Sequence, residues 1–358
     1  MSFIKSRIVL TVVISVLSLG AAYAALQTLS DRPPESAASV LFTELNKAFA
    51  THWRGRTGVD ISVMPAQSKS GKPIQAVVDG LGVATLALYY DLEKLREKNR
   101  FIAPVWNPVP PQQAPEAALP ASPYTSTVVF LVRRGNPKEV LDWDDLLRPG
   151  LGVVTPHPRL SESGRWNYLA AWGYAVKRSG SNRTVALEFV TKLFNNVKSL
   201  ATADFIERDI GDVLLVWESE AHGVVREFGK GAADRFEIVT PTVSIVAEPA
   251  VSVVDAVADM NGDRDVAIAY IEYLYTTQAQ DIVGRNYYRP RDLWVRMRYA
   301  HQFPALELFT VDEIVGGWKQ AEKIHFAQDG IVAQILENRV VVGPRNERGA
   351  ALLDRRGK

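Results

Sequence analysis

Apolar residues recur at helical spacing over residues 39–50, where Val40, Leu41, Leu45, Ala48 and Phe49 share one face. Residues 59–64 alternate like a strand, and 74–78 read as a short helix. The run at 83–89 is uniformly apolar, which suits a buried strand, and 91–99 form a charged helix. The strongest strand signal is 125–133 (TSTVVFLVR). A short helix at 142–147 and a strand at 152–155 follow it. Helices are expected at 165–177 and 184–195, then a buried strand at 213–217 (VLLVW) leading into a helix that ends near Phe228. Strands at 236–240 and 251–254 and helices at 266–275 and 277–284 complete the series. A Pro-rich stretch at 107–122 reads as an extended excursion, and the chain beyond Glu337 is basic and irregular. Strands that alternate with helices predict an α/β fold with mostly parallel sheets. No period of about 20–50 residues recurs, so the chain is not a solenoid.

The beginning of the chain has a different pattern. Lys5 and Arg7 precede an uncharged apolar run over 8–19, and Ala22-Tyr23-Ala24 offers a small-residue exit. Together they predict a signal peptide cleaved after Ala24 and a periplasmic protein. The apolar run is shorter than the roughly 20 residues a membrane span needs. At 358 residues the chain exceeds what one core usually supports, so two lobes are expected. A formal net charge of +1 makes nucleic acid a poor partner. With no cysteine, disulfides, thiolate metal sites and an N-terminal lipid anchor are excluded.

Signatures of catalysis are missing. The five histidines are scattered without metal-ligand spacing, and no G-x-S-x-G turn occurs. Ser70-Gly71-Lys72 ends like a phosphate-binding loop, but Ala66 and Pro73 break that motif. Asp144/Asp145 and Glu218/Glu220 read as solvated charge pairs. His157 and Glu162 lack a nucleophile or a metal set to work with. Neither an enzyme nor a cofactor or metal is expected. What remains is serine at helix starts: Ser36 and Ser39, Ser70, and Ser161 to Gly164. Serine there is an ordinary N-cap. A helix start also offers unpaired N–H groups to an oxyanion.

Several long blocks carry a family likeness. Residues 125–142 (TSTVVFLVRRGNPKEVLD), 165–174 (RWNYLAAWGY), 210–221 (IGDVLLVWESEA), 238–255, 286–292 (NYYRPRD) and 309–325 resemble the periplasmic sulfate-binding proteins of ABC transporters. The resemblance runs from about residue 37 to 326. It implies the type II periplasmic-binding fold, with two α/β lobes joined by crossover strands at 125–130 and 240–248. Lobe 1 would comprise 25–124 and 241–337, and lobe 2 would comprise 125–240, followed by a charged tail at 338–358. It also implies a monomer that binds sulfate or thiosulfate and delivers it to permease subunits in the inner membrane. The family holds a dehydrated dianion with neutral donors. By position these fall on Ser36, Ser70, Ser161, Glu162, Ser163, Ala203 and Trp217. An indole N–H can only donate, so it favours a fully deprotonated anion. Glu162 stands where the family has glycine, Pro73 enters the first-lobe loop, and 200–205 is about six residues shorter than its family counterpart. A member with a lost or changed ligand is the alternative reading.

Overall fold

The computed structural model describes residues 37–61, 63, 77–78, 83–86, 122–228, 234–253, 258–259 and 262–339. The segment expected to be a signal peptide (1–24), Ser36, Ser70, the helix expected at 91–99, residues 107–121 and the tail from 340 lie outside them. The described strands are β1 (Val77–Val78), β2 (Val83–Leu86), β3 (Tyr124–Arg133), β4 (Val153–Val154), β5 (Val197–Ser199) and β6 (Val213–Trp217). Then come β7 (Phe236–Val239), β8 (Val243–Ala247), β9 (Ala250–Val253), β10 (Arg289–Pro290) and β11 (Glu307–Phe309). The α-helices begin with α1 (Ala37–Thr57), α2 (Glu162–Arg178), α3 (Arg183–Asn196), α4 (Thr202–Arg208) and α5 (Glu218–Phe228). They continue with α6 (Arg264–Leu274), α7 (Thr277–Arg285), α8 (Leu293–Arg298), α9 (Val311–Val315), α10 (Trp318–Ala321) and α11 (Ile331–Arg339).

One apolar cluster is built on α1. Leu41, Phe42, Leu45 and Phe49 recur at helical spacing, so one stripe is buried. The stripe packs with Tyr270, Ile271 and Leu274 of α6 and with Ile282 and Val283 of α7. Phe49 meets Tyr270 edge to face at 5.0 Å. The sheet of this region is antiparallel, in the order β1-β2-β9. Here the structure corrects the pattern reading: the helix expected at 74–78 contains a strand at 77–78. Val77 and Val78 are β-branched, and pairing with Ala84 and Val83 outweighs the weak helical spacing. Residues 59–61 and 63 form no strand.

The second region is organised around β3, which is buried on both faces. Val128, Phe130 and Val132 face a cluster that includes Trp143, Trp166 and Leu169. Val129 and Leu131 face another, with Phe205, Leu214 and Phe236. A period of two in a strand covered on each side explains the unbroken apolar run. The sheet has the order β11-β8-β3-β6-β4-β5, with β7 and β10 also paired to β3. Strands β5, β4 and β6 are mutually parallel, whereas β3 runs against β6. β3 pairs with β10 and β8 at its start and with β6 and β7 at its end, so it links the two regions. Thr127 Oγ1 donates to the Ile245 carbonyl at 2.8 Å, and Ser244 Oγ donates to that of Val128 at 2.8 Å. These buried hydroxyls lock β3 to β8.

The C-terminal elements join this second region. Phe309, Val311, Ile314, Phe326, Val332 and Ile335 are buried in the cluster with Trp143 and Trp166. Sequence likeness assigned 241–337 to the first lobe. The apolar contacts of the segment from Phe309 onward lie instead with the residues of 125–240.

Candidate functional site

The parallel strands β5, β4 and β6 each feed a helix: α4 after β5, α2 after β4 and α5 after β6. Parallel strands bring all three helix starts to the carboxyl edge of the sheet, where open α/β folds bind ligands. Ser161, Glu162, Ser163, Ala203 and Trp217 all lie on that edge. Ser36 and Ser70 lie outside the described residues.

Ser161 is the N-cap of α2, in extended conformation, and its Oγ accepts from Gly164 N at 3.3 Å. The same oxygen lies 2.9 Å from Ser163 Oγ. The turn before it is held by the His157 carbonyl, which accepts from Leu160 N and Ser161 N. Gly164 fits because a Cβ there would come within 2.6 Å of the Pro156 and His157 carbonyl oxygens. Asn167 then ties α2 to the strand ends through Thr155 Oγ1 at 3.2 Å and the Leu215 carbonyl at 2.8 Å. Glu162 occupies the first turn of α2, where a carboxylate complements the helix dipole. It is half-buried, and one of its carboxylate oxygens is enclosed from solvent.

Ala203 is exposed in the first turn of α4. That helix starts at Ala201 with no side-chain cap. Ser199, which could have capped it, donates instead to Asp204 Oδ2 at 2.5 Å.

Trp217 ends β6, opposite Val128 of β3. Its side chain is 7% exposed, and its ring meets Trp166 edge to face at 6.3 Å. Trp166 in turn meets Trp318 at 4.7 Å. The Trp217 indole N–H is buried with no hydrogen-bond partner among the described residues. Trp143 provides the contrast: its indole N–H donates to the Val243 carbonyl at 2.8 Å. A buried donor left without a partner costs roughly 1–3 kcal/mol. A ligand acceptor at the edge would recover that cost.

Pattern reading missed the charge next to Trp217. Glu218 was expected on a solvated face, yet it is 1% exposed. Arg289 grips it with two bonds, Nε at 2.6 Å and Nη2 at 2.8 Å. Burial raises the Glu218 pKa, and Arg289 opposes that rise. The signal was present in the sequence: Arg289 belongs to NYYRPRD, and β10 sets it beside Thr125 at the start of β3. Two residues on, Arg291 donates to the Ser122 carbonyl at 3.0 Å and pairs with Glu248. Glu220 is half-buried, and burial pushes its carboxyl up to about 7. Asp144 pairs with Arg178, and Asp145 completes a capping box at Asp142.

Among the described residues there is no cluster of three or more metal-ligating side chains, and no helix is long and apolar enough to cross a membrane. The edge can do one kind of chemistry well: donate hydrogen bonds from neutral groups to an anion.

Residues 36–289 match the family model described as bacterial extracellular solute-binding protein. A sulfate-binding protein of Escherichia coli K12 is 46% identical over 303 residues, spanning 82% of this chain and 89% of that one. A thiosulfate-binding protein of Pseudomonas aeruginosa is 39% identical over 302 residues, spanning 82% and 88%. The solved structure of the sulfate-binding protein SubI from Mycobacterium tuberculosis matches with a TM-score of 0.60 at 26% identity, covering 81% of this chain and 95% of that one. The fold is that of the type II periplasmic binding proteins. The chain belongs to the bacterial extracellular solute-binding proteins, among the sulfate- and thiosulfate-binding members of that family.

Proposed function

We propose that this protein is the extracytoplasmic receptor for sulfate or thiosulfate, and that it passes the anion to an ABC-type permease in the inner membrane. The observation that carries the reading is the Trp217 indole N–H, buried and without a partner at the carboxyl edge of the sheet. A donor-only group selects an anion with no proton of its own. Ser161, Ser163 and the backbone N–H groups at Glu162 and Ala203 complete the donor set of one jaw. Ser36 and Ser70 supply the other. The jaws are the region of α1, β1, β2 and β9 and the region around β3, and the anion closes them together. Removal of the signal peptide after Ala24 takes away Lys5 and Arg7 and leaves 39 basic against 40 acidic residues. Bulk charge therefore gives a dianion no attraction, and local dipoles must hold it. The protein acts as a periplasmic monomer, without catalysis.

Isothermal titration of the mature chain with sulfate, thiosulfate, molybdate and phosphate tests this. Saturable heat with sulfate or thiosulfate, and none with phosphate, is the expected result. Absence of heat with every one of these at millimolar levels would sink the reading.

A further inference from the structure

The chain from Gly316 to Phe326 packs against the helix that Ser161 starts. Gly316 and Gly317 turn it there, both in the left-handed region at φ 79° and 93°. Trp318 follows the turn, and its ring meets Trp166 at 4.7 Å with the two planes 83° apart. Next, Glu322 Oε2 accepts from Arg165 Nη1 at 2.8 Å, a pair whose side chains are 18% and 22% exposed. Then His325 Nδ1 lies 2.9 Å from the Tyr168 hydroxyl, in a buried contact. The segment therefore grips residues 165, 166 and 168, the part of α2 that directly follows the first turn at Ser161 to Gly164. Its residues Glu322–Phe326 form a π-helix, closed by Ala327 N donating to the Glu322 carbonyl at 2.8 Å, a rare form that recurs at functional sites.

Trp166 is the link between this segment and the binding edge. It is 2% exposed, so its ring is held by its neighbours. Trp318 is one of them and is itself half-buried. Trp217 is another, at 6.3 Å with the planes 77° apart. Edge-to-face pairs set the direction of a ring as well as its distance. Direction is what Trp217 needs from outside itself. Its indole N–H has no partner among the described residues, so no hydrogen bond of theirs aims it and packing must. A hydrogen bond to a charged acceptor weakens steeply when it is misaligned.

We propose that Trp318 is a positioning residue of the anion site: it holds Trp166, and Trp166 aims the Trp217 indole N–H. The inference rests on the reading of the carboxyl edge as an anion site. It gives the C-terminal segment a part in binding although it lies about 100 residues beyond Trp217 in sequence.

Two measurements on the mature protein test it. In calorimetry with sulfate and thiosulfate, Trp318→Leu should weaken the anion about fivefold, with the number of sites per chain unchanged. Trp318→Phe keeps an aromatic edge and should stay within about twofold of the natural protein. In the Trp217→Phe background, Trp318→Leu should cost less than about 1.5-fold, since a residue that acts through Trp217 has nothing left to aim. A purely structural role would lower the number of competent sites at constant affinity. NMR of protein labelled with 15N-tryptophan, without any anion, gives the second readout. The Trp217 indole signal, assigned by its absence in Trp217→Phe, should move in Trp318→Leu and return close to its natural position in Trp318→Phe. A Trp217 signal unmoved by Trp318→Leu would overturn the proposal, as would a full fivefold loss in the Trp217→Phe background. Lack of heat from the natural protein overturns both this proposal and the receptor reading. Heat from the natural protein with unchanged affinity in Trp318→Leu overturns this proposal alone.

Discussion

The two ends of the β5-β4-β6 sheet are finished in opposite ways. At the amino end, polar groups of the turn meet one another within the protein. Gly152 N donates to Asp212 Oδ2 at 2.7 Å, and Asp212 N donates back to the Gly152 carbonyl at 2.7 Å. Arg133 donates to the Phe205 and Gly211 carbonyls, both at 3.1 Å, pairs with Asp209, and covers the Phe205 ring. At the carboxyl end, the charged residues Glu218 and Arg289 are paired, while the neutral donor of Trp217 is not. Donors are satisfied at one end and one is left over at the other, which is the position the proposed function gives to the anion. The difference separates structural polarity from binding polarity.

The largest expected effect concerns the paired charges of the carboxyl end. Glu218→Ala leaves the Arg289 guanidinium in a poorly solvated site, 13% exposed, with its main partner gone. A loss of about 3–5 kcal/mol in urea-unfolding free energy is expected. A loss below about 1 kcal/mol would mean that the pair is not structural, and the contrast between paired charges and free neutral donors would collapse.

Next in size is a change at the amino end. Arg133→Met keeps apolar cover over Phe205 and orphans two carbonyls, so stability should fall by about 2–3 kcal/mol. Sulfate affinity of the folded variant should stay within about twofold, because additivity holds for separated sites. A large affinity loss would show that the two ends are coupled.

Trp217→Phe reverses that outcome. Its effect on stability is near zero or favourable, since an unsatisfied N–H is removed while the edge contact to Trp166 keeps its geometry. Affinity for sulfate or thiosulfate should fall about 10- to 100-fold, the size of one hydrogen bond to a charged acceptor. Calorimetry beside a urea curve separates the two effects. Unchanged affinity would remove Trp217 from the site.

Much of this arrangement is legible in the sequence, and the reason is local. The TSTVVFLVR and VLLVW strands are continuous apolar runs because both faces are covered, and they appear at 124–133 and 213–217. The helix starting after Ser161 was expected at Arg165 and begins at Glu162, since the serine caps the first turn. Local pattern failed where partners come from far along the chain. Glu218 looks like an ordinary surface carboxylate until Arg289, 71 residues later, is folded against it. The assignment of 309–337 depended on which apolar cluster lay nearest, a tertiary fact that no period reports. The expectation that Ser36 and Ser70 are first-lobe donors rests on likeness alone, since both lie outside the described residues.

The smallest effect concerns protons, and its sign can be worked out. His222 and His325 are both pushed down to about 4, in each case chiefly by burial. An unfolded histidine titrates near 6.5, so between about 4 and 6.5 the unfolded chain binds more protons and stability rises with pH. Glu220 is pushed up to about 7 by burial. An unfolded glutamate titrates near 4.3, so between about 4.3 and 7 the native state binds the extra proton and stability falls as pH rises. The two trends oppose each other over nearly the same window. Glu220→Gln removes only the second. Thermal unfolding at about pH 5 and about pH 8 should therefore show the variant close to the natural protein at the lower pH and more stable at the higher one. A difference of about 1 kcal/mol is expected, reduced from the full shift because the carboxyl keeps partial access to solvent. Equal stability of the two proteins at both pH values would return Glu220 to the solvated face that its sequence context suggests. The Glu218 carboxylate would then remain accounted for by Arg289, and the contrast with the amino end would rest chiefly on Trp217.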